Sequence, residues 1–414
     1  MAKKDNQKNT SGNKLGFLFA LSLTLAIGIL IGWKGLQSSP RKSVTTIETG
    51  ATMLKPGPWG TLSIVPIEIA PPVELLPVQS TADSKIIWIF ENYTSEQLKQ
   101  FLVSLDVSAS QLDQMLGDNH LVAIPNGVQM TPSPDAVLSL SPKARLAIYK
   151  VLAGSGLNDS VRIPVLQADV DKQFGSYGVS KETIALFKNV SCPYKKYLVC
   201  YCLPLVLSKI PTYDEKTALY KAIARSKTML VRIHIGPDSD INDLNSYWGK
   251  AFWSTDVKSI LESLSHLPDG SWLDMVELLP PLPTSLIYNY PMPQSNVAGA
   301  EVRRDCHWTS MNFFRDPPDD NFQDSNYVLQ KLKDNYFPIT SDPRYGDVLL
   351  FVTPDGRGIH SAVYIADNIV FTRNGNGSCM PWIFSTVDDL LDLYDFTLPE
   401  GQTLKINYYR NKYY

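Results

Sequence analysis

Cys306 is the residue whose type and neighbours in this sequence most favour chemistry. It follows Asp305, a good helix cap, and opens a predicted short helix over residues 306–314. The free backbone N–H groups and the dipole at the start of a helix stabilise negative charge, so they favour a cysteine thiolate at that position. A thiolate attacks amide and ester carbonyls, and Cys306 is therefore the predicted nucleophile.

His360 is the predicted base for this thiol. A nucleophilic cysteine needs a base within hydrogen-bond reach and a third polar group that orients the base. His360 begins a predicted strand, Ser361–Ile365, and this strand follows another predicted strand over Asp347–Val352. A histidine at the start of a strand that faces the helix is in a suitable position to accept the thiol proton.

The orienting residue depends on the turn before a third predicted strand, Ile369–Thr372. If residues 366–368 form a three-residue turn, His360 shares one face of the sheet with Thr372 and Asn374. A two-residue turn would place Arg373 on that face instead. Asn374 is the preferred orienting residue, because its amide oxygen can accept the imidazole N–H, and Thr372 is the second candidate.

The other cysteines and histidines have simpler explanations. Cys306 itself has an alternative role as a buried core cysteine, and His307, which points elsewhere on the helix, is expected to be a pocket or structural residue. A structural role is also expected for Cys379. A zinc site built from these residues and His360 matches no common ligand spacing, so no metal or cofactor is expected. Three further cysteines are expected to be buried small side chains rather than disulfide partners: Cys192, Cys200 and Cys202.

Three motifs together resemble the NlpC-type family of papain-like cysteine peptidases. They are Asp305-Cys306, then Tyr345-Gly346-Asp347-Val348, then His360-Ser361-Ala362-Val363-Tyr364-Ile365, within a region of roughly a quarter of the chain. The resemblance implies a C-terminal papain-like domain over residues 286–414, with a helix packed on an antiparallel sheet. It also implies hydrolysis of γ-glutamyl or related amides in cell-wall peptides.

The chain departs from the pattern of this family at three places. The Tyr and Gly-Gly that commonly precede the cysteine are not matched, with Tyr290 only a loose candidate for the tyrosine. His307 and Trp308 follow the cysteine where the family usually has Ser-Gly, and Thr372 occupies the aligned third position where histidine is common. Three functions are therefore compared. The first is a thiol hydrolase of peptide or cell-wall amides; the alternatives are an inactive binding or scaffold protein on the same fold and a thioester-forming acyltransferase.

Residues 81–285 are predicted to form a mainly helical domain. Thr94 with Gln97 and Ser108 with Gln111 form capping boxes, each followed by apolar residues on one helix face. A structural or substrate-positioning role is expected for this region, and its protein partner is unknown. With the C-terminal domain, the predicted fold class is α+β.

The N-terminus carries the features of a membrane anchor. Lys14 and Lys34 bracket an uncharged apolar run over residues 15–33, which is long enough for a transmembrane helix, and further lysines precede it. Residues 1–36 are thus predicted to be a cytoplasmic tail and anchor, with a cleaved signal peptide as the rival interpretation. A proline-rich linker over residues 37–80 follows. The expected location is the cell membrane, with most of the chain on the non-cytoplasmic side.

The charge balance argues against a nucleic-acid partner. The chain of 414 residues has a formal net charge of −3, whereas binding to phosphate backbones requires a basic excess. The resemblance implies a peptide or cell-wall amide substrate, and the apolar run over residues 15–33 implies the membrane as a further partner.

Overall fold

The structure is a computed structural model that describes residues 50–78, 85–117, 120–155, 157–158, 163–291, 304–398 and 401–414. Its helices begin where the sequence supplies caps. The hydroxyls of Thr94 and Ser108 accept the backbone N–H of Gln97 and Gln111, so both predicted capping boxes are confirmed. Ser141 caps another helix, because its side chain accepts the backbone N–H of Ala144.

The described part of the chain contains fourteen α-helices. In chain order they are α1 Ser95–Ser104, α2 Ala109–Leu116, α3 Pro134–Ser139, α4 Pro142–Ala153, α5 Val170–Ser176, α6 Lys181–Val190, α7 Leu203–Ser208, α8 Tyr213–Ile223, α9 Ile241–Trp248, α10 Ser254–Ser265, α11 Pro281–Leu286, α12 Cys306–Met311, α13 Ser325–Asn335 and α14 Val387–Tyr394.

The strands form four sheets. Their bounds are β1 Thr52–Met53, β2 Thr61–Ile69, β3 Trp88–Glu91, β4 Leu121–Ile124, β5 Gly127–Met130, β6 Ile163–Leu166, β7 Cys192–Tyr194, β8 Tyr197–Cys200, β9 Ser226–Ile235, β10 Ser271–Asp274, β11 Tyr336–Ile339, β12 Val348–Val352, β13 Gly358–Ala366, β14 Ile369–Arg373, β15 Trp382–Thr386 and β16 Lys405–Asn411. Two three-stranded sheets have the orders β3-β5-β4 and β6-β8-β7. A four-stranded sheet has the order β1-β2-β9-β10, and a six-stranded sheet has the order β11-β16-β12-β13-β14-β15.

The predicted proline-rich linker contains a long strand instead. All nine residues of β2 pair with β9 in antiparallel register, from Thr61 opposite His234 to Ile69 opposite Ser226. Pro66 is tolerated in this strand because it lies beyond β1, where that side of β2 is an edge. The prolines do favour extended backbone, as predicted, but the extended segment is part of a sheet.

The region predicted to be mainly helical has a core that differs from it in extent. It contains strands β3 to β10 in addition to its helices. One hydrophobic core, with its buried members running from Leu76 to Ala222 and including Phe396, belongs to this region. From Met229 to Ile287 the buried residues instead share a second core with Leu62 of β2 and with the C-terminal region. The core boundaries therefore lie before Leu76 and after Ala222, and not at residue 285.

No helix in the described part of the chain is long and apolar enough to cross a bilayer. The predicted transmembrane segment, residues 15–33, lies outside the described residues, together with the predicted cytoplasmic tail. The predicted fold class and membrane location are accordingly corrected to an α+β architecture without a membrane-spanning helix among its described elements.

The six-stranded sheet separates the second core from a third, smaller one. Side chains alternate between the faces of a strand, so the neighbours Ala362 and Val363 of β13 point in opposite directions. Trp308 and Met311 of α12 share a core with Val363. Residues of α14 pack on the other face with Ala362. The helix that carries the candidate nucleophile thus lies on one face, and α14 covers the other.

The Gly-Asp pair before β12 is a structural element of this sheet. Gly346 has φ of +90°, and a Cβ atom at this position would lie 2.3 Å from the ring of Phe314. The buried carboxylate of Asp347 accepts hydrogen bonds from Nε–H and Nη2–H of Arg410, at 3.0 and 2.7 Å. It also accepts a hydrogen bond from the backbone N–H of Arg344 at 2.7 Å. The pair therefore closes a tight turn and ties β12 to β16.

We expect Asp347→Ala to lower the free energy of unfolding by about 3–5 kcal/mol. The substitution leaves a half-buried guanidinium and a backbone N–H without their acceptor, which is a costly way to break a buried ion pair. Urea unfolding followed by circular dichroism measures the change. The control is Asp355→Ala, because Asp355 is exposed and its ion pair with Arg357 lies at the surface. Equal losses for the two variants would contradict the structural role of Asp347.

Candidate active site

Cys306 is the first residue of α12. The carboxylate of Asp305 accepts the backbone N–H of Trp308 at 2.9 Å, so Asp305 caps the helix as predicted. The helix ends at Met311 rather than Phe314. Trp308, completely buried, fixes the helix on the sheet, and its indole N–H donates to Asp320 at 2.8 Å. The thiol is consequently held in one position, with only 7% of Cys306 exposed.

Burial decides the protonation state of this thiol. Removal from water and the nearby Asp305 carboxylate raise the pKa of Cys306 to about 12, although the backbone N–H groups of Ser361, His307 and Cys306 itself favour the thiolate. The expectation of a helix-stabilised thiolate is therefore corrected. The helix start acts in the expected direction, but desolvation is the larger effect, and the resting group is a neutral thiol.

This protonation state gives an expected pH dependence of alkylation. A thiol reacts through its thiolate fraction, which rises about tenfold per pH unit below the pKa. The rate of iodoacetamide labelling at Cys306, measured by peptide mapping, should therefore keep rising from pH 7 to pH 10. A plateau reached below pH 8.5 would instead indicate a resting ion pair and contradict the neutral thiol. Cys306→Ser identifies the peptide that must lose its label.

His360 lies on the opposite face of the sheet from α12. It pairs with Phe351 of β12, and its ring stacks on Tyr394 of α14 with centroids 4.3 Å apart. The residue is completely buried. Its Nε2 lies 3.0 Å from the hydroxyl oxygen of Thr372. The structure thus brings together two of the predicted site residues, His360 and Thr372. The expectation that His360 faces the helix of Cys306 is corrected, because the imidazole lies on the face that α14 covers.

The Thr372 hydroxyl determines which imidazole nitrogen is basic. It lies 3.1 Å from the carbonyl oxygen of Ser361, which can only accept a hydrogen bond, so the hydroxyl donates there. A hydroxyl has a single proton, so a Thr372 that donates to Ser361 accepts from Nε2–H of His360. In the neutral imidazole the proton is then on Nε2, and Nδ1 is the acceptor. Thr372 consequently sets the tautomer that a general base requires.

The register between β13 and β14 agrees with the prediction, although the turn between them is shorter than the predicted three-residue turn. The turn contains two residues, Asp367 and Asn368, and a bulge at Ile365 restores the offset. Val363 therefore pairs with Phe371, and one step further the same offset places Ala362 opposite Thr372. Asp367 accommodates the turn with φ of +52°.

Asn374, the preferred orienting residue, does not have that role. It follows the end of β14, and its Oδ1 is buried without a hydrogen-bond partner among the residues that the structure describes. The shorter side chain of Thr372, one step inside the strand, makes the contact with His360 instead.

Cys306 and Thr372, the hydrogen-bond partner of His360, both contact the backbone of Ser361. The backbone N–H of Ser361 is directed at the sulfur of Cys306, and the carbonyl of Ser361 accepts the hydroxyl of Thr372. Ser361 therefore connects the thiol to the Thr372–His360 pair. A direct hydrogen bond between the sulfur and Nδ1 stays a prediction.

Arg373 is a functional candidate that the sequence did not indicate, apart from its place in the two-residue-turn alternative. Its guanidinium is almost completely buried and donates to the carbonyls of Arg304, Gly377 and Met380, while lying over the ring of Trp382. Burial lowers the pKa of Arg373 to about 10, so the group stays a cation at neutral pH. A cation near the thiol favours the development of negative charge on sulfur.

His307 contacts the strand rather than pointing away from the site. Its Nδ1 lies 3.0 Å from the hydroxyl oxygen of Ser361, and burial lowers the pKa of His307. The sulfur of Cys379 is directed at the carbonyl of Leu75, 3.2 Å away. Among the described residues, no group of His, Cys, Asp or Glu could hold a metal ion. The remaining three cysteines are buried thiols: Cys192, Cys200 and Cys202.

Helix α14, which covers His360, is held by ion pairs to the turn between β7 and β8. Lys195 binds Asp392 at 3.0 Å and Asp395 at 2.7 Å, while Lys196 binds Asp389 and Asp392. Asp395 is buried, whereas the other partners are partly exposed. These contacts position the Tyr394 ring over the imidazole.

No protein-family model, curated protein or solved structure matches this chain. The resemblance to the NlpC-type peptidases therefore rests on the three motifs of the sequence alone.

Proposed function

We propose that this chain is a thiol hydrolase that cleaves amide bonds of peptide substrates, with Cys306 as nucleophile and His360 as general base. The observation that supports this function best is the hydrogen-bonding of Thr372, which donates to Ser361 and thereby leaves Nδ1 of His360 as the proton acceptor. A cysteine at a helix start and a histidine with a fixed tautomer are two parts of the arrangement that thioester chemistry requires, and the structure places them on opposite faces of β13. The proposal stops at peptide amides, because the cell-wall substrate has no support beyond the resemblance.

The proposed reaction begins from the neutral thiol. This proton transfer requires the His360 ring to reach the thiol from the face of β13 that α14 covers. Nδ1 of His360 then takes the proton from Cys306 as the sulfur attacks the carbonyl carbon, and the carbonyl oxygen becomes an oxyanion. The backbone N–H groups of Cys306 and His307 are candidates to bind it, each contributing about 3 kcal/mol. The C–N bond then breaks as Nδ1–H protonates the leaving amine, which gives a thioester. Water attacks the thioester, Nδ1 takes its proton, and the carboxylic acid leaves as the thiol reforms.

The scaffold alternative is favoured by one observation. The thiol of Cys306 is buried and has a raised pKa, as expected for a core cysteine without a chemical role. A peptide with an electrophilic ketone at its carboxyl end distinguishes the two functions, since it forms a covalent adduct only with an activated thiol. Mass spectrometry should find the adduct on Cys306 if the chain is a hydrolase. The absence of an adduct on Cys306 would favour the scaffold.

Thr372→Val tests the tautomer argument directly. Valine retains the shape of threonine but removes the hydroxyl, so we expect adduct formation at Cys306 to slow by about 10–100-fold, equivalent to one hydrogen bond in the transition state. Thr372→Ser retains the hydroxyl and should recover most of the rate. The rates are measured by intact-mass analysis over time. Equal rates for the valine and serine variants would show that the hydroxyl has no part in the reaction.

A further inference from the structure

A small pocket with a cationic lining lies beyond the end of α12 that is opposite Cys306. Its volume is about 80 Å³, and Phe314, Tyr414 and Gly346 form part of its wall. A cavity needs only about 10–15 Å³ to hold one water molecule, so this pocket has space for a small polyatomic ligand. Its charged lining residues come from three parts of the chain: Lys250 after α9, Arg344 and Asp347 before β12, and Arg410 in β16.

Positive charge exceeds negative charge in this lining. Arg410 is fixed by the two carboxylate oxygens of Asp347, and its Nη2 also donates to the backbone carbonyl of Asp342 at 3.0 Å. The Asp342 carboxylate is exposed and acts on Arg410 from outside the lining. Among the charged side chains of the lining there are three cations and one carboxylate, so Lys250 and Arg344 have no side-chain carboxylate partner in the pocket.

The two remaining cations are differently held. Lys250 is half-buried, and its Nζ donates to the backbone carbonyl of Ser246 at 2.7 Å, which fixes the ammonium at the pocket wall. Arg344 is exposed, and its guanidinium makes no hydrogen bond within the part of the chain that the structure describes. One cation is thus positioned and the other is available to close on a ligand.

The cations in the lining repel one another, and a bound anion would offset this electrostatic repulsion. Burial lowers the pKa of Lys250, and the guanidinium groups of Arg344 and Arg410 lower it further, whereas the carboxylate of Asp347 acts in the opposite direction. Like charges at short range repel each other, and the attraction of each cation to a bound anion would outweigh this repulsion.

We propose that this pocket binds a phosphate group, either as free phosphate or as a phosphate monoester. A phosphate dianion matches the excess of two positive charges in the lining, and guanidinium and ammonium groups are the preferred donors to its oxygens. The small volume admits the phosphate group itself and leaves any attached group outside. The site is separate from the thiol and does not depend on the proposed hydrolase function.

The test is the thermal unfolding midpoint of the full chain with ~10 mM inorganic phosphate, compared with sodium chloride of equal ionic strength. Binding to the folded state should raise the midpoint by ~2 °C or more in phosphate. Phenyl phosphate distinguishes the two ligand sources, since an equal or larger rise shows that the pocket accepts a monoester. Sodium acetate, a carboxylate of comparable size, should give a smaller rise.

Two variants assign the effect to the pocket. Arg344→Gln and Lys250→Gln should each weaken phosphate binding by about tenfold in isothermal titration calorimetry, because each removes one charge-assisted contact. Arg357→Gln is the matched control, since Arg357 is an exposed arginine that pairs with Asp355 at the surface, away from the pocket lining. Circular dichroism checks that all variants fold. Equal responses to phosphate in Arg344→Gln, Arg357→Gln and the unmodified chain would overturn the proposal, as would equal midpoints in phosphate and chloride.

Discussion

Replacement of His360 by glutamine should reduce the rate of thioester formation at Cys306 by about 10²–10⁴-fold. Glutamine retains a polar side chain of similar length, but it cannot take a proton at neutral pH, so the neutral thiol loses its base. The resting state of Cys306 makes this dependence strong. Since burial raises the pKa of the thiol to about 12, almost no thiolate exists at neutral pH unless a base accepts the proton as the sulfur attacks.

The measurement is a single-turnover rate with an activated peptide ester, which follows acylation without the later hydrolysis step. Cys306→Ala must abolish the acyl adduct completely and defines the background. A second control is His307→Gln, because this histidine is next to the nucleophile and contacts Ser361. If His307→Gln lowers the rate as far as His360→Gln does, or lowers it while His360→Gln does not, the assignment of the base to His360 fails.

Arg373→Leu should lower the free energy of unfolding by about 4 kcal/mol. Leucine fills part of the space, but it leaves three carbonyl acceptors without their donor, those of Arg304, Gly377 and Met380. A buried hydrogen-bond acceptor without a partner costs about 1–3 kcal/mol, and the contact between the guanidinium and Trp382 is lost in addition. These carbonyls belong to the segments on either side of the site, so the start of α12 should also lose its fixed position.

Denaturant unfolding gives the size of this loss, and the acylation rate gives its effect on the site. Arg373→Lys retains the charge and three N–H donors without the planar geometry, and it should lose less stability than the leucine variant. Arg357→Leu is a control, because that exposed guanidinium pairs with Asp355 at the surface. A change below about 1 kcal/mol in Arg373→Leu would mean that the segments around Cys306 are held by other contacts.

The strands of the C-terminal region could be predicted from the sequence because their residues are buried on both faces. Val348–Val352 and Ile369–Arg373 are continuous runs of buried residues, and such runs bounded by turn residues are typical of central strands. The strand β2 was missed for the opposite reason. Its prolines indicate extended backbone, but only the partner β9, far away in the chain, decides whether an extended segment joins a sheet.

The site was predicted only in part, for related reasons. Helix caps and side-chain alternation are local properties, so the position of Cys306 and the face shared by His360 and Thr372 followed from the sequence. The pKa of a thiol depends on how deeply the fold buries it, and no local pattern contains that information. Arg373 was missed because its carbonyl partners come from three separate segments and no residue type marks a backbone acceptor.

The second core has a consequence for how this chain can be divided. Leu62 of β2, Ile233 of β9 and Trp248 of α9 pack in the same buried cluster as Trp308 of α12 and Phe371 of β14. A fragment that starts at residue 286 would retain Cys306, His360 and Thr372, yet it would expose the apolar surface that β2 and β9 cover. The region with the NlpC-like motifs is thus not an independently folding domain that can be excised or fused to another protein. Residues 76–222, with a core largely of their own, are the segment that could be exchanged or lost as an insertion within it.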